Sequence, residues 1–165
     1  MLQYSFSNVD LRLNLPDIDD GLTISGYSSG EGLITCTRRA PIAETTFGAR
    51  GEMVVSMQRI IAGDLTFSLL MASSDNAKLQ QYANKFQGLA KTGTSEFPSA
   101  IGATMKDKMG DDQCHMFNGV ILAMPAMTRG QIASVVTWTI TFESMIFLRD
   151  YNDGTNVVNN QFFTA

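Results

Sequence analysis

From Val136 to Phe142 the chain alternates without a break. Val136, Trp138, Ile140 and Phe142 share one side, and Thr137, Thr139, Thr141 and Glu143 share the other, with the run carrying on to Phe147. Successive side chains of a β-strand point to opposite faces, so a strict period of two with one apolar row marks a strand that buries one face and wets the other. On a helix the same apolar row would be spread around the whole circumference. Threonine and aromatic side chains also suit a pleated surface. A chain built on such a segment needs a sheet with one packed face.

The same period recurs. In Asp64–Leu69, Leu65, Phe67 and Leu69 face one way and Asp64, Thr66 and Ser68 the other, and Glu52–Met57 reads as a further strand. Gly48-Ala49-Arg50-Gly51 is a turn between Thr45-Thr46-Phe47 and the strand at Glu52. Ala62-Gly63-Asp64 separates two strong strands, which predicts that they pair as a hairpin. Met109-Gly110-Asp111-Asp112 predicts a second hairpin, between Ile101–Lys106 and Gln113–Met124. One segment is helical: Ser73-Ser74-Asp75 offers caps, Leu79, Tyr82, Ala83 and Phe86 form a stripe, and Gly88 stands where a helix would end. This predicts about three turns packed on a sheet, followed by a loop over 88–99. The expected fold class is mainly β, a β-sandwich or barrel-like subunit with one flanking α-helix. Residues 1–149 form one domain, and residues 150–165 a C-terminal tail that ends in Phe162-Phe163.

Charge is scarce. Only 17% of the 165 residues are Asp, Glu, Lys or Arg, although 44% are apolar, whereas about 25% charged is usual. Interface cores are depleted in charge, so the composition fits a subunit covered by others as well as it fits a neutral-surfaced monomer. The net charge of −4 and the single basic pair, Arg38-Arg39, leave no electrostatic footprint for gripping nucleic acid. Cys36 and Cys114 have no CxxC partner and cannot make a zinc site by themselves; they read as small buried apolar residues rather than a disulfide. Met1–Ser5 lacks a basic region followed by an apolar run, so no signal peptide is expected. The longest apolar run, Val120 to Met127, is broken by Pro125 and too short to span a bilayer. The protein is expected to be soluble and made in the cytoplasm, without membrane binding.

Chemistry is hard to assemble from these residues. His115 follows Cys114 directly, and neighbours in a strand face opposite ways, so they cannot form a dyad. No phosphate-binding or dinucleotide glycine pattern is present, and the glycines of 26–32 precede no helix. Asp17, Asp19 and Asp20 resemble a calcium loop only weakly, because no distal Glu follows at the required spacing; they read as a solvated turn. Ten methionines either fill a core or supply an adaptable binding surface. Neither an enzyme nor a cofactor is expected.

The run Thr45-Thr46-Phe47-Gly48-Ala49-Arg50-Gly51-Glu52-Met53-Val54-Val55-Ser56 is followed by Ala62-Gly63-Asp64-Leu65-Thr66-Phe67-Ser68-Leu69-Leu70 and then Ser73-Ser74-Asp75-Asn76-Ala77-Lys78-Leu79. A Gly-Ala-x-Gly-Glu turn into a strand, an Ala-Gly turn, a Thr-x-x-Leu-Leu strand and a Ser-x-x-Asn-Ala helix start together resemble the tail tube proteins of contractile-tailed bacteriophages. Tyr4-Ser5-Phe6 and Thr23-Ile24-Ser25-Gly26 fit as well. The resemblance covers about residues 1–87; beyond them only strand content and length agree.

The resemblance implies a virion structural protein assembled in the host bacterial cytoplasm. Its subunits would close into hexameric rings, the inner sheets joining into one barrel, and the rings would stack into a tube. Implied partners are further copies of the chain, the tail sheath protein, the baseplate or tail initiator and the tape measure protein. Viral DNA would pass through the lumen during genome ejection without specific binding. Ring closure would also pair sheet edges that otherwise invite aggregation. The candidate lumen residues are Glu52, Ser56, Asp64, Thr66, Ser68 and Glu143, short or acidic side chains that would not hold phosphate. The candidate inter-subunit contacts are Arg38, Arg39, Glu44, Arg50, Phe162 and Phe163, drawn from the arm-like stretch 38–50 and from the tail; the loop 88–99 is a third candidate link. The same subunit would serve a phage-tail-like bacteriocin or a type VI secretion device. A reading of a different class is a soluble ligand-binding β-barrel, which needs an enclosed apolar cavity.

Overall fold

The computed structural model describes residues 9–25, 34–92, 100–108, 112–126 and 134–149. Nine strands and one helix follow in the order β1 (Val9–Leu15), β2 (Asp19–Thr23), β3 (Ile34–Arg38), β4 (Ala43–Phe47), β5 (Met53–Met57), β6 (Gly63–Leu70), α1 (Ser74–Thr92), β7 (Ile101–Asp107), β8 (Asp112–Ile121) and β9 (Val135–Arg149). The fold is mainly β: two antiparallel sheets, one helix and, among the described residues, no closed barrel. Seven strands form one sheet in the order β2-β1-β7-β8-β9-β6-β3, and β4 and β5 form a separate two-stranded sheet.

Alternation explains the core. Leu65, Phe67 and Leu69 of β6 and Val136, Trp138, Ile140 and Phe142 of β9 are all buried, and the two strands pair Leu65 with Ile140 and Phe67 with Trp138. Leu11, Leu13 and Leu15 of β1 and Cys114 and Met116 of β8 complete the same core. The sheet curls so that its edge strand β3 comes over β7: Cys36 Sγ lies 3.8 Å from Met105 Sδ, although three strands separate β3 from β7 in the sheet order. A change of phase in the β8–β9 pair assists the curl. The buried positions of β8 switch from Cys114 and Met116 to Gly119 and Ile121, and those of β9 from Phe142 to Met145. Between them Asn118 takes a positive φ of 54°, a conformation that Asn tolerates better than most residues. A Cβ on Gly119 would lie 2.4 Å from the Phe142 ring, so only glycine lets that ring reach the core.

The predicted pairing of β5 with β6 is corrected. β5 pairs with β4, whereas β6 lies between β3 and β9. β6 buries its whole apolar row and has a partner on each side within the main sheet, β3 and β9, whereas every residue of β5 is exposed. The β7–β8 hairpin forms as expected. The helix is longer than expected, running through Gly88 to Thr92. Gly88 therefore lies inside the helix, and an added Cβ there would meet nothing within 4 Å. Gly88→Ala is expected to stabilise the protein by about 0.5–1 kcal/mol, because alanine restricts the unfolded chain without a clash in the folded one; a denaturant titration checks this. Part of the predicted loop 88–99 is thus helical, and the rest lies outside the described residues, as do Tyr4-Ser5-Phe6, the turn at 109–111 and the tail 150–165.

The start of α1 is tied to the sheet. Ser73 Oγ accepts the Asn76 N–H at 3.2 Å, an N-cap. Asn76 is buried; its Nδ2 donates to the Met71 carbonyl at 2.8 Å and its Oδ1 accepts from Trp138 Nε1 at 2.9 Å. Asp75, also buried, accepts the Ser25 N–H at 2.8 Å. The Ser-x-x-Asn start is therefore a cap followed by a clamp on β9. Leu79, Tyr82 and Ala83 are buried in the core, and Phe86 is partly buried. Lys78 and Lys85, at 2.6 and 2.7 Å from Asp19 and Asp17, join the β1–β2 turn to the helix, so these two acids of the acidic turn are engaged by helix lysines.

Candidate functional site

Two surfaces stand out. The first is the wet face of β3, β6 and β9. Register places Thr37, Asp64 and Thr141 on one row and Thr35, Thr66 and Thr139 on the next, with Ser68 opposite Thr137. Ser68 and Thr137 hydroxyls lie 3.0 Å apart, Thr66 and Thr139 3.4 Å, and Thr141 Oγ1 donates to Asp64 Oδ1 at 2.7 Å. Arg39 caps the ladder: its Nε donates to Asp64 Oδ2 at 2.8 Å and an Nη to Thr141 Oγ1 at 3.0 Å. Asp64 therefore has its charge matched within the chain. Hydrogen bonding from Arg39, reinforced by Thr141, holds its carboxyl below the usual 3.8, while partial burial opposes the shift. Because the folded value is the lower one, the contribution to stability is fully present above the ordinary carboxylate range and is lost as pH falls through the depressed value. A carboxyl NMR titration is expected to place the Asp64 midpoint below that of a free aspartate, and Arg39→Gln to move it back up.

Glu143 continues the row past β6, where Asn118 Nδ2 donates to it at 2.8 Å. Sequence reasoning chose Asp64, Thr66 and Ser68 but passed over Thr35, Thr37 and the three threonines of β9 as members of one surface. Their alternation was visible; their alignment on neighbouring strands was not.

The second surface is the β4–β5 hairpin. Its turn closes with Gly51 N–H to the Gly48 carbonyl at 3.0 Å and Gly51 at φ 85°, the left-handed residue such a loop requires. Phe47 pairs with Met53, Thr45 with Val55 and Ala43 with Met57. Directly paired residues share a face, so Phe47, Met53, Val55 and Met57 form one apolar side, and Glu44, Thr46, Val54 and Ser56 the other. The alternation is that of a half-buried strand, yet all five residues of β5 are exposed: Phe47 is 68% and Met57 80% accessible, and Ile42, Ile60 and Ile61 beside them are exposed as well. Met53 and Met57 thus belong to a surface, whereas Met116 and Met145 fill the core. Glu44, Arg50, Glu52 and Ser56 all lie on this hairpin, apart from the ladder that holds Asp64, Thr66 and Ser68.

Arg38 ends β3 over the Phe147 ring, 5.6 Å from its centroid, with an Nη donating to the Met145 carbonyl at 3.2 Å; its buried Nε has no acceptor among the described residues. Phe162 and Phe163 lie outside those residues. Cys114 and Met116 are buried on one face of β8 with the less buried His115 on the other, so Cys114 and His115 do face opposite ways. No three of His, Cys, Asp and Glu among the described residues are grouped to hold a metal ion, and no described helix is long and apolar enough to cross a membrane. A groove of about 390 Å³ opens over β1 and β7, lined by residues that include Arg12, Asn14, Thr104 and Phe117; it lies on the outside of the sheet.

No protein-family model and no curated protein matches the sequence. Solved structures do match over nearly the whole chain. A chain of the sheath–tube complex of an extracellular contractile injection system is similar with a TM-score of 0.55 at 9% identity, covering 89% of this chain and 92% of that one. A chain of the anti-feeding prophage baseplate is similar with a TM-score of 0.54 at 8% identity, covering 90% and 98%. One from the sheath/tube terminator of the extracellular contractile injection system has a TM-score of 0.52 at 7% identity, covering 90% and 98%. The shared property is the fold, that of chains found in contractile, tail-like assemblies.

Proposed function

We propose that this chain is a structural, non-catalytic subunit of a contractile-tail tube, closing into hexameric rings that stack around a lumen. The observation that carries the reading is the β4–β5 hairpin, an amphipathic arm whose apolar face finds no cover among the described residues. A patterned strand exposed in this way is completed by another chain. The natural occupant is a second copy, because the main sheet ends in the edge strands β2 and β3 and a ring would pair such edges. The fold shared with sheath–tube and baseplate chains supports the same reading.

In the tube, the hydroxyl ladder of β3, β6 and β9, extended by Glu143, faces the lumen. The polar side of the arm, with Glu52 and Ser56, meets the lumen where one subunit's arm lies along its neighbour. Arg38, Arg39, Glu44 and Arg50 flank the junction, and the tail with Phe162 and Phe163 docks on an adjacent copy. The sheath packs outside, the baseplate templates the first ring, and the tape measure protein fills the lumen before ejection. In a bacteriophage virion the conducted cargo is DNA, and a wall of short hydroxyls with its carboxylate already neutralised would let phosphate slide. A second reading, a tube of a headless injection device, is favoured by the extracellular contractile injection systems among the similar structures.

Light scattering and negative-stain electron microscopy of the purified chain test the proposal. Rings or hollow tubes of uniform diameter support it. A chain that stays monomeric even with purified baseplates overturns it. Nuclease-protected DNA in particles that carry the chain separates phage from headless device.

A further inference from the structure

Cys36 and Cys114 are distant in sequence, and their strands are distant in the sheet, β3 at an edge and β8 near the middle. Curling of the sheet reunites them. Cys36 Sγ lies 3.8 Å from Met105 Sδ, and Met105 is the cross-strand partner of Cys114. Cys36 therefore reaches the β7–β8 pair at the register position of Cys114. Both are free; Cys114 is fully buried and Cys36 partly so. An oxidant arriving from solvent therefore meets Cys36 first, with Cys114 directly behind it.

The two thiols also differ in acidity. The Cys114 thiol holds that of Cys36 below its ordinary value against the opposing effect of burial. Cys114 is pushed strongly upward, by Cys36 first and by burial second. The thiolate is the reacting form, so the more accessible Cys36 is the nucleophile and the buried Cys114 the resolving thiol. A disulfide needs the Cβ atoms about 3.8 Å apart, and the Cys36 and Cys114 side chains converge on the same residue, Met105.

We propose that Cys36 and Cys114 form an intramolecular disulfide when the folded chain meets a small disulfide oxidant, clipping the edge strand β3 to β8 across the core. With oxidised glutathione, the Cys36 thiolate attacks one glutathione sulfur and expels a glutathione thiolate, which takes up a proton. Cys114 then loses its proton to solvent, and its sulfur attacks Cys36 Sγ, expelling the second glutathione. Two protein thiols and one glutathione disulfide become one protein disulfide and two glutathione thiols, a transfer of two electrons. The clip closes the long loop between β3 and β8 and fastens a strand that is otherwise held from one side. It would form outside a reducing cytoplasm, and it is independent of the tube reading.

The native full chain is incubated with oxidised glutathione at neutral pH, alkylated with N-ethylmaleimide under denaturant and mapped by mass spectrometry. The expected result is no alkylated cysteine, an intact mass lower by two hydrogens, and one peptide pair joining Cys36 to Cys114. The thermal midpoint is expected to rise by about 5 °C or more, reversed by reductant. Cys114→Ala is expected to stop at a stable glutathione adduct on Cys36, and Cys36→Ser to take up no glutathione. Two alkylated cysteines after oxidation, a wild-type reaction halted at the adduct, or a link between chains would each overturn the proposal. Mapping of the wild-type chain decides the matter even where a variant fails to fold.

Discussion

Val55→Asp combined with Met57→Asp is expected to abolish ring and tube formation, weakening self-association at least about 100-fold, while the subunit stays folded. Both residues are exposed on the apolar side of the β4–β5 hairpin. Surface substitutions of this kind usually alter stability by less than about 0.5 kcal/mol. In an assembled tube the same carboxylates would be buried without partners, at a cost of several kcal/mol, and each 1.4 kcal/mol is about a tenfold change in affinity. Sedimentation or light scattering reads the association, and circular dichroism the fold. Ser56→Asp, on the opposite side of the same strand, is the control and should leave assembly nearly intact. Tubes of normal length from the double variant would remove the arm from the interface and with it the main support for the tube reading.

Asn76→Ala is expected to destabilise the subunit by about 2–4 kcal/mol, a large share of the 5–15 kcal/mol by which a domain of this size is usually stable. The substitution strands the buried Trp138 Nε1–H and the partly buried Met71 carbonyl. Asn76→Asp restores an acceptor for Trp138 but not a donor for Met71, and buries a charge, so it should recover little at neutral pH. Trp138→Phe removes the indole donor, and the double variant with Asn76→Ala should be less destabilised than the sum of the two. Urea unfolding of unassembled protein measures all four variants. Additive losses would mean that the clamp between helix and sheet contributes nothing as a pair.

The two predictions probe features that were legible to different degrees. Ser73-x-x-Asn76 was recognisable as a helix start, because a cap acts within one turn of chain. That Asn76 also holds Trp138 was not, since the two meet only after β9 has packed beside β6. The arm shows the reverse. Its alternation was plain, and alternation normally announces burial, but a local pattern does not say whether a partner will cover it, and among the described residues none does. The helix overran Gly88 because a glycine inside a helix costs only about 1 kcal/mol, which packing of Leu79, Tyr82 and Ala83 outweighs.

Local pattern determined which side chains of β5, β6 and β9 share a face, that residues 48–51 turn, and that one helix must cover a β core, because these follow from backbone geometry over a few residues. β1, β2 and β3 stayed hidden, and Asp19 and Asp20, which read as a solvated turn, begin β2. Tertiary structure decided the strand order, the separation of the β4–β5 arm from the main sheet, the alignment of threonines from three strands into one hydroxyl face, and the meeting of Cys36 with Cys114. Each of these depends on which edge is free once every other strand has found its partner, and that competition is settled by the whole sheet at once.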